Sequence, residues 1–222
     1  MGEVIPLAVG RQRRQQHGGG PARARTRATL YFDLVSPATY LAAERVGHLF
    51  PRLEWRPVLR DALHGGDPAA DAAARERDEL AAAARASVLR LPLVWPEGRS
   101  SARAAMRVAS LACERGRGAA FVLAASRLAF CGGFELDDPE VLAEAAAAAS
   151  LPLADAFTAA TDETRDGPMV DDALRLLAAG ADVLPVVRVG RLLFSGEDRL
   201  SEAAAAAAAP AAQARPRVPR AG

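Results

Sequence analysis

Apolar residues fall into two kinds of run along this chain, and the change from one to the other divides it. Residues 28–34 (ATLYFDL) make a short hydrophobic run that stops just before Ser36 and Pro37. From Pro37 to about Phe50 the apolar positions Ala43, Val46 and Phe50 recur at helical spacing. A strand over about 28–34 and a helix from Pro37 to Phe50 are therefore predicted, followed by a second strand at LEWRPV, 53–58. Two strands flanking such a helix make a βαβ unit, a crossover that is nearly always right-handed and parallel. From Asp67 to Gly180 the strand signals vanish. Ala-rich helical stretches are expected near 68–90, 100–116, 118–131, 138–149, 153–164 and 169–179. Asp67-Pro68, Leu91-Pro92, Trp95-Pro96, Gly116 and Gly118, Gly132-Gly133, Asp138-Pro139 and Gly167-Pro168 mark the breaks, and Gly180 suits a C-terminal helix cap. LPVVRV (184–189), the turn at Gly190-Arg191 and LLF (192–194) then predict a hairpin, with a last helix from about Glu197 to Ala209.

The order βαβ, helical block, ββα predicts an α/β chain with a thioredoxin-like fold, built from 28–66 and 181–209 and split by an all-helical insertion at 67–180. The cleft between the two parts is expected to face Ser36. Residues 1–27, with six Arg and a GGG run, and residues 210–222, rich in Pro, Arg and Ala, lack hydrophobic periodicity and are expected to be disordered tails.

Composition narrows the function classes. The chain has 222 residues, half of them apolar, and a formal net charge of +1, which argues against a dedicated nucleic-acid surface. No stretch reaches the 18 or so apolar residues a membrane helix needs. In MGEVIPLAVGRQRR the apolar run is short and the Arg residues follow it, unlike a secretory signal, so a cytoplasmic location is expected. Lys and Asn are absent and all 28 basic residues are Arg, which removes Schiff-base lysine chemistry and weakens the functional reading of any single Arg. Cys113 and Cys131 are too far apart for a CxxC pair and are read as idle or buried thiols. His17, His48 and His64 have no carboxylate or Cys at ligand spacing, so no metal is expected. Trp55 reads as core, and Trp95 as a wall of the cleft.

Ser36 is the leading chemical candidate. A Ser at a helix start can cap exposed backbone N–H groups, Pro suits the first helical position, and the partial positive charge there favours an anion or thiolate. Simple N-capping and a functional hydroxyl are both open from the residues alone.

Four separated segments resemble the DsbA-like thioredoxin branch that contains 2-hydroxychromene-2-carboxylate isomerases and kappa-class glutathione transferases. YFDLVSPATYLA (31–42) is similar to that group's FDFxSPYxYL opening, EWRPVLRDAL (54–63) to its second strand, LPV (184–186) to its cis-proline loop, and FSGEDRL (194–200) to its FxGxDRL signature. Where thiol–disulfide members carry CxxC, this chain has Ser36, Pro37, Ala38 and Thr39. The dithiol is absent, so disulfide exchange of the DsbA type is not expected.

The resemblance implies an isomerase or transferase that uses a borrowed sulfur, from glutathione or another low-molecular-weight thiol such as mycothiol. It implies that Ser36 donates a hydrogen bond to that sulfur. Each unit by which the thiol pKa falls corresponds to roughly 1.4 kcal/mol of thiolate stabilisation. It further implies that cis Pro185 exposes the Leu184 backbone to the thiol, and that Asp198 and Arg199 meet its charged end. Glu197, which stands where Gln or Ser is common, is counted with them among the thiol-binding residues, and Ala38 replaces an aromatic residue. Arg75, Arg77, Arg85 and Arg99 are the nearby candidates for anion contacts. The expected partner is a small aromatic or electrophilic substrate, with no nucleic acid or membrane and a homodimer as a possible assembly. The rival reading is a noncatalytic thioredoxin-like binding module.

Overall fold

β1 (Ala28–Phe32) is buried along its whole length because it lies inside a four-stranded sheet. The computed structural model describes residues 27–64, 68–96 and 102–209. The expectations for residues 1–26 and 210–222, and for Arg99, lie outside the described residues. β1 pairs in parallel with β2 (Glu54–Pro57) and antiparallel with β3 (Val186–Val189), which pairs antiparallel with β4 (Leu192–Ser195), giving the order β2-β1-β3-β4. The parallel pair is joined through α1 (Pro37–Leu49), as the βαβ reading requires.

Side chains of a strand alternate between the faces of its sheet, and this alternation assigns the covering helices. Leu30, Val187, Val189 and Phe194 pack on one face with Ala42 and Val46 of α1 and with Leu200 and Ala203 of α9 (Leu200–Ala208). Tyr31, Val186 and Leu193 face the other way. They meet Leu63 of α2 (Arg60–Leu63) and Ala173 and Leu176 of α8 (Asp166–Ala178).

The remaining helices are α3 (Pro68–Leu89), α4 (Arg103–Glu114), α5 (Gly118–Phe130), α6 (Pro139–Ala148) and α7 (Leu153–Thr161). α4 packs against α5, α7 and β2, and α5 against α1 and α6. One apolar cluster runs from Phe32, Leu34 and Tyr40 into Met106, Phe121 and Phe130, so the helical block shares a core with the sheet.

Several elements differ from the sequence expectation in instructive ways. β1 ends at Phe32 rather than residue 34, because the Asp33 carboxylate accepts the Val35 N–H and turns the chain. α2 is a single turn, too short to show periodicity. α8 begins three residues earlier than expected and holds Pro168 in its first turn, where a missing N–H is tolerated. Its Ala173 and Leu176 cover a sheet face, which periodicity does not show, since it reveals that a helix has an apolar side and not what that side meets. The last helix opens as a 3₁₀ turn at Glu197–Arg199 before α9. Gly180 caps α8 at φ +79°, with the Ala181 N–H reaching the Leu176 carbonyl and the Gly180 N–H that of Leu177.

Candidate functional site

α1 starts with Pro37 in its first turn and Ser36 at the N-cap in an extended conformation (φ −87°, ψ 117°). That is the backbone geometry of a capping serine, but the hydroxyl makes no capping bond. Ser36 is 0% exposed and its Oγ has no hydrogen-bond partner among the described residues. Thr39, three residues on, is equally buried, and its Oγ1 is also without a partner. A buried hydroxyl left unbonded costs about 1–3 kcal/mol, so simple N-capping does not account for Ser36.

The turn before α1 is held from several sides. Asp33 is 2% exposed; one carboxylate oxygen accepts the Val35 N–H at 2.8 Å and the other the Arg60 N–H at 2.8 Å, tying the β1–α1 turn to the start of α2. Burial pushes the Asp33 carboxyl up to about 6, against the two backbone bonds that favour its charged form. The Leu34 N–H points at the Met106 sulfur of α4, at 3.3 Å. Arg60 in turn bonds Asp78 of α3 at 2.7 Å. Sequence reasoning quoted Asp33 in a motif without giving it a role. Its signal was an acidic residue closing an apolar strand, a common turn former.

The Leu184–Pro185 peptide bond is cis, as the resemblance implied. The register of β1 on β3 pairs Tyr31 with Val186, so Pro185 lies at the sheet end where β1 hands over to the Ser36 turn. β4 ends at that same end, where Ser195 pairs with Val186 and the Gly196 N–H donates to the Pro185 carbonyl at 2.9 Å. Ser36, Leu184, Pro185, Glu197, Asp198 and Arg199 are thus gathered at one end of the sheet by topology. Leu184 buries its side chain in the core.

Two of the three charged members of this group, Glu197 and Arg199, already have partners. Glu197 is 4% exposed, and its carboxylate pairs with Arg45 of α1 and, at 2.7 Å, with Arg85 of α3. Burial, then repulsion from Arg85, holds the Arg45 guanidinium below its ordinary value. Arg199 bonds Glu202 at 2.7 Å and lies over the Phe194 ring. The Glu202 bond, and next the Glu202 charge, raise its pKa. Asp198 is exposed and folds back over Gly196, whose φ of +93° and lack of a Cβ leave room for it: a Cβ there would stand 2.6 Å from Oδ1.

A cavity of about 360 Å³ opens beside the start of α1, bounded by Val35, Pro37, Trp95, Phe130, Phe134 and Leu136, with Arg75, Glu79 and Glu135 also on its wall. Trp95 meets Phe130 edge to face at 6.3 Å, and Tyr40 stacks on Phe130 from within the core at 6.0 Å. Trp95 is on the wall of this cleft as expected, but the cleft does not face Ser36 directly: Val35 and Pro37 line it and Ser36 does not. Ser36 itself lies behind the Val35 and Pro37 side of it, because the chain dives inward at that turn.

A second cavity, about 570 Å³, lies beside β2, with Trp55, Arg56, Cys113, Met169 and Asp172 on its wall. Burial pushes the Cys113 thiol up to about 12, which makes it a poor nucleophile. Cys131, at the end of α5, bonds the Tyr40 hydroxyl at 3.2 Å, and both cysteines are free. No group of three or more His, Cys, Asp or Glu that could hold a metal, and no helix long and apolar enough to cross a membrane, occurs among the described residues.

No protein-family model matches the chain, and no curated protein matches it significantly. Solved structures do. A 2-hydroxychromene-2-carboxylate isomerase superposes with a TM-score of 0.68 at 16% identity, over 81% of this chain and 93% of that one. A probable DsbA oxidoreductase from Streptomyces coelicolor gives 0.63 at 21% identity, over 82% and 89%. A candidate protein disulfide isomerase from Nitrosomonas europaea gives 0.55 at 14%, over 80% and 95%. The fold is therefore the DsbA-like thioredoxin fold with its helical insertion.

Proposed function

We propose that this chain, a DsbA-like thioredoxin fold with Ser36 and Thr39 where disulfide-exchanging members carry cysteines, is a thiol-dependent isomerase or transferase. The observation that carries the reading is the Ser36 hydroxyl: fully buried, at a helix N-terminus, beside an aromatic-walled cavity, and without a partner among the described residues. An O–H held there can donate to a sulfur anion, and the α1 N-terminus adds partial positive charge that favours the same ionised form. A bound thiol would supply the nucleophilic sulfur that adds to a conjugated substrate, to be expelled again in an isomerase or retained in a transferase.

The residues present fit such a thiol in part. Ser36 serves the sulfur, and the cis Leu184–Pro185 segment lies at the same sheet end with its backbone next to the turn. Asp198 is the exposed carboxylate available to an ammonium group. Glu197 is engaged by Arg45 and Arg85, so its part is to brace α1 and α3 behind the site rather than to touch the thiol. Trp95, Phe130 and Phe134 suit a flat aromatic electrophile and keep water from the sulfur. Orientation and thiolate stabilisation are what the protein contributes to catalysis.

Calorimetric titration with glutathione and then mycothiol, on wild type and Ser36→Ala, tests this. Binding of one thiol to wild type that weakens about tenfold or more in the variant is expected. A noncatalytic binding module is the second reading, favoured by the complete burial of Ser36, and it predicts no heat and no thermal stabilisation with either thiol.

A further inference from the structure

Two orphan hydroxyls, not one, sit at the start of α1. Thr39 is 0% exposed and its Oγ1 has no partner among the described residues. Helical Ser and Thr hydroxyls usually bond back to a carbonyl one turn earlier. This chain follows that habit elsewhere: Ser87 bonds the Ala83 carbonyl, Thr158 that of Ala154, and Thr161 those of Phe157 and Thr158. At Thr39 the N–H donates to the Ser36 carbonyl at 3.0 Å, but the hydroxyl makes no such bond. The N-cap and the third helical residue share a face, with side chains three apart close enough to meet one small ligand.

Resting on the reading of Ser36 as a thiol site, we infer that Thr39 Oγ1 is a second donor to the same sulfur. The site is then a cradle of two hydroxyls at one helix N-terminus. A sulfur anion accepts more than one hydrogen bond, and it would satisfy both buried oxygens at once. Ser126 Oγ is likewise buried and unpartnered, but it lies within α5 and supplies the control.

The test is the pKa of bound glutathione and of bound mycothiol, followed by ultraviolet absorbance of the thiolate against pH in wild type, Ser36→Ala, Thr39→Val, Thr39→Ser and Ser126→Ala. Thr39→Val keeps the shape of threonine and removes only the hydroxyl. It is expected to raise the bound-thiol pKa by about one unit, a tenfold loss of thiolate. Thr39→Ser should restore it, and Ser126→Ala should change nothing. An unchanged pKa in Thr39→Val beside a raised one in Ser36→Ala overturns the second donor and leaves the Ser36 reading standing. If neither variant shifts the pKa, or neither thiol binds wild type, both fall.

Discussion

The start of α1 and the turn from Gly196 to Glu202 meet at one end of the same sheet, and they treat their polar groups in opposite ways. In the turn the buried charge and its neighbour are engaged, Glu197 by Arg45 and Arg85 and Arg199 by Glu202, while Asp198 stays exposed. At the α1 start, the Ser36 and Thr39 hydroxyls are fully buried and have no partner among the described residues. Buried polar groups that are paired hold elements together, whereas buried groups left unpaired lower stability with no structural return. The turn is thus the brace and the α1 start the part we propose to be reactive, whereas the resemblance implies one thiol site drawn from both.

The contrast breaks first at Glu197. Glu197→Gln leaves Arg45 and Arg85 facing each other without a carboxylate, and a loss of about 3 kcal/mol is expected, at the low end for a broken buried pair because both arginines keep some water access. Urea unfolding measures it, and a loss near zero would mean that the brace is not one. Ser36→Ala should do the reverse. Thiol-dependent turnover of a conjugated aromatic electrophile falls about a hundredfold, the scale seen for removing one preorganised donor. The melting temperature should hold or rise, since an unsatisfied hydroxyl has been removed.

Asp33 sharpens the comparison between these extremes, because it is buried and paired yet belongs to the α1 turn. Asp33→Asn replaces one of its two acceptor oxygens by a donor that faces a backbone N–H, and about 1–2 kcal/mol should be lost at pH 7. Burial sets the folded pKa, about 6, above the unfolded value, so the folded state binds more protons between about pH 4 and 6. Wild-type stability from this group therefore rises as pH falls through that window, and the cost of Asp33→Asn should grow from pH 7 to pH 4. A cost that shrinks on acidification would show that the two backbone bonds outweigh desolvation. The smallest effect is expected at Arg199→Ala: its partner Glu202 is exposed, and the melting temperature should be unchanged within error.

The strands and most of the helices were legible because each rests on a local signal. The short apolar run of β1, Pro37 after Ser36, Asp138-Pro139 before α6 and Gly180 after α8 mark elements and ends that neighbouring residues alone enforce. Asp138 does cap α6, accepting the Glu140 N–H at 2.8 Å. Asp33 escaped because its role needs Arg60, 27 residues away, to approach from another loop. The Glu197 brace escaped for the same reason, its partners lying on α1 and on α3, 112 residues distant in the case of Arg85. Thr39 was read only as the last position of a lost CxxC, since an unmade hydrogen bond has no sequence signature.

By itself the sequence determined the order of elements, the loss of the redox dithiol, and which residue stands at the start of α1. Those follow from periodicity, punctuation and residue chemistry, which act over a few residues. Packing settles that α8 covers the sheet, that Glu197 is neutralised by two arginines, and that the Ser36 and Thr39 hydroxyls are buried with no partner among the described residues. These depend on what packing brings together and what it leaves out, and burial without a capping bond is what sets this serine apart from an ordinary helix cap.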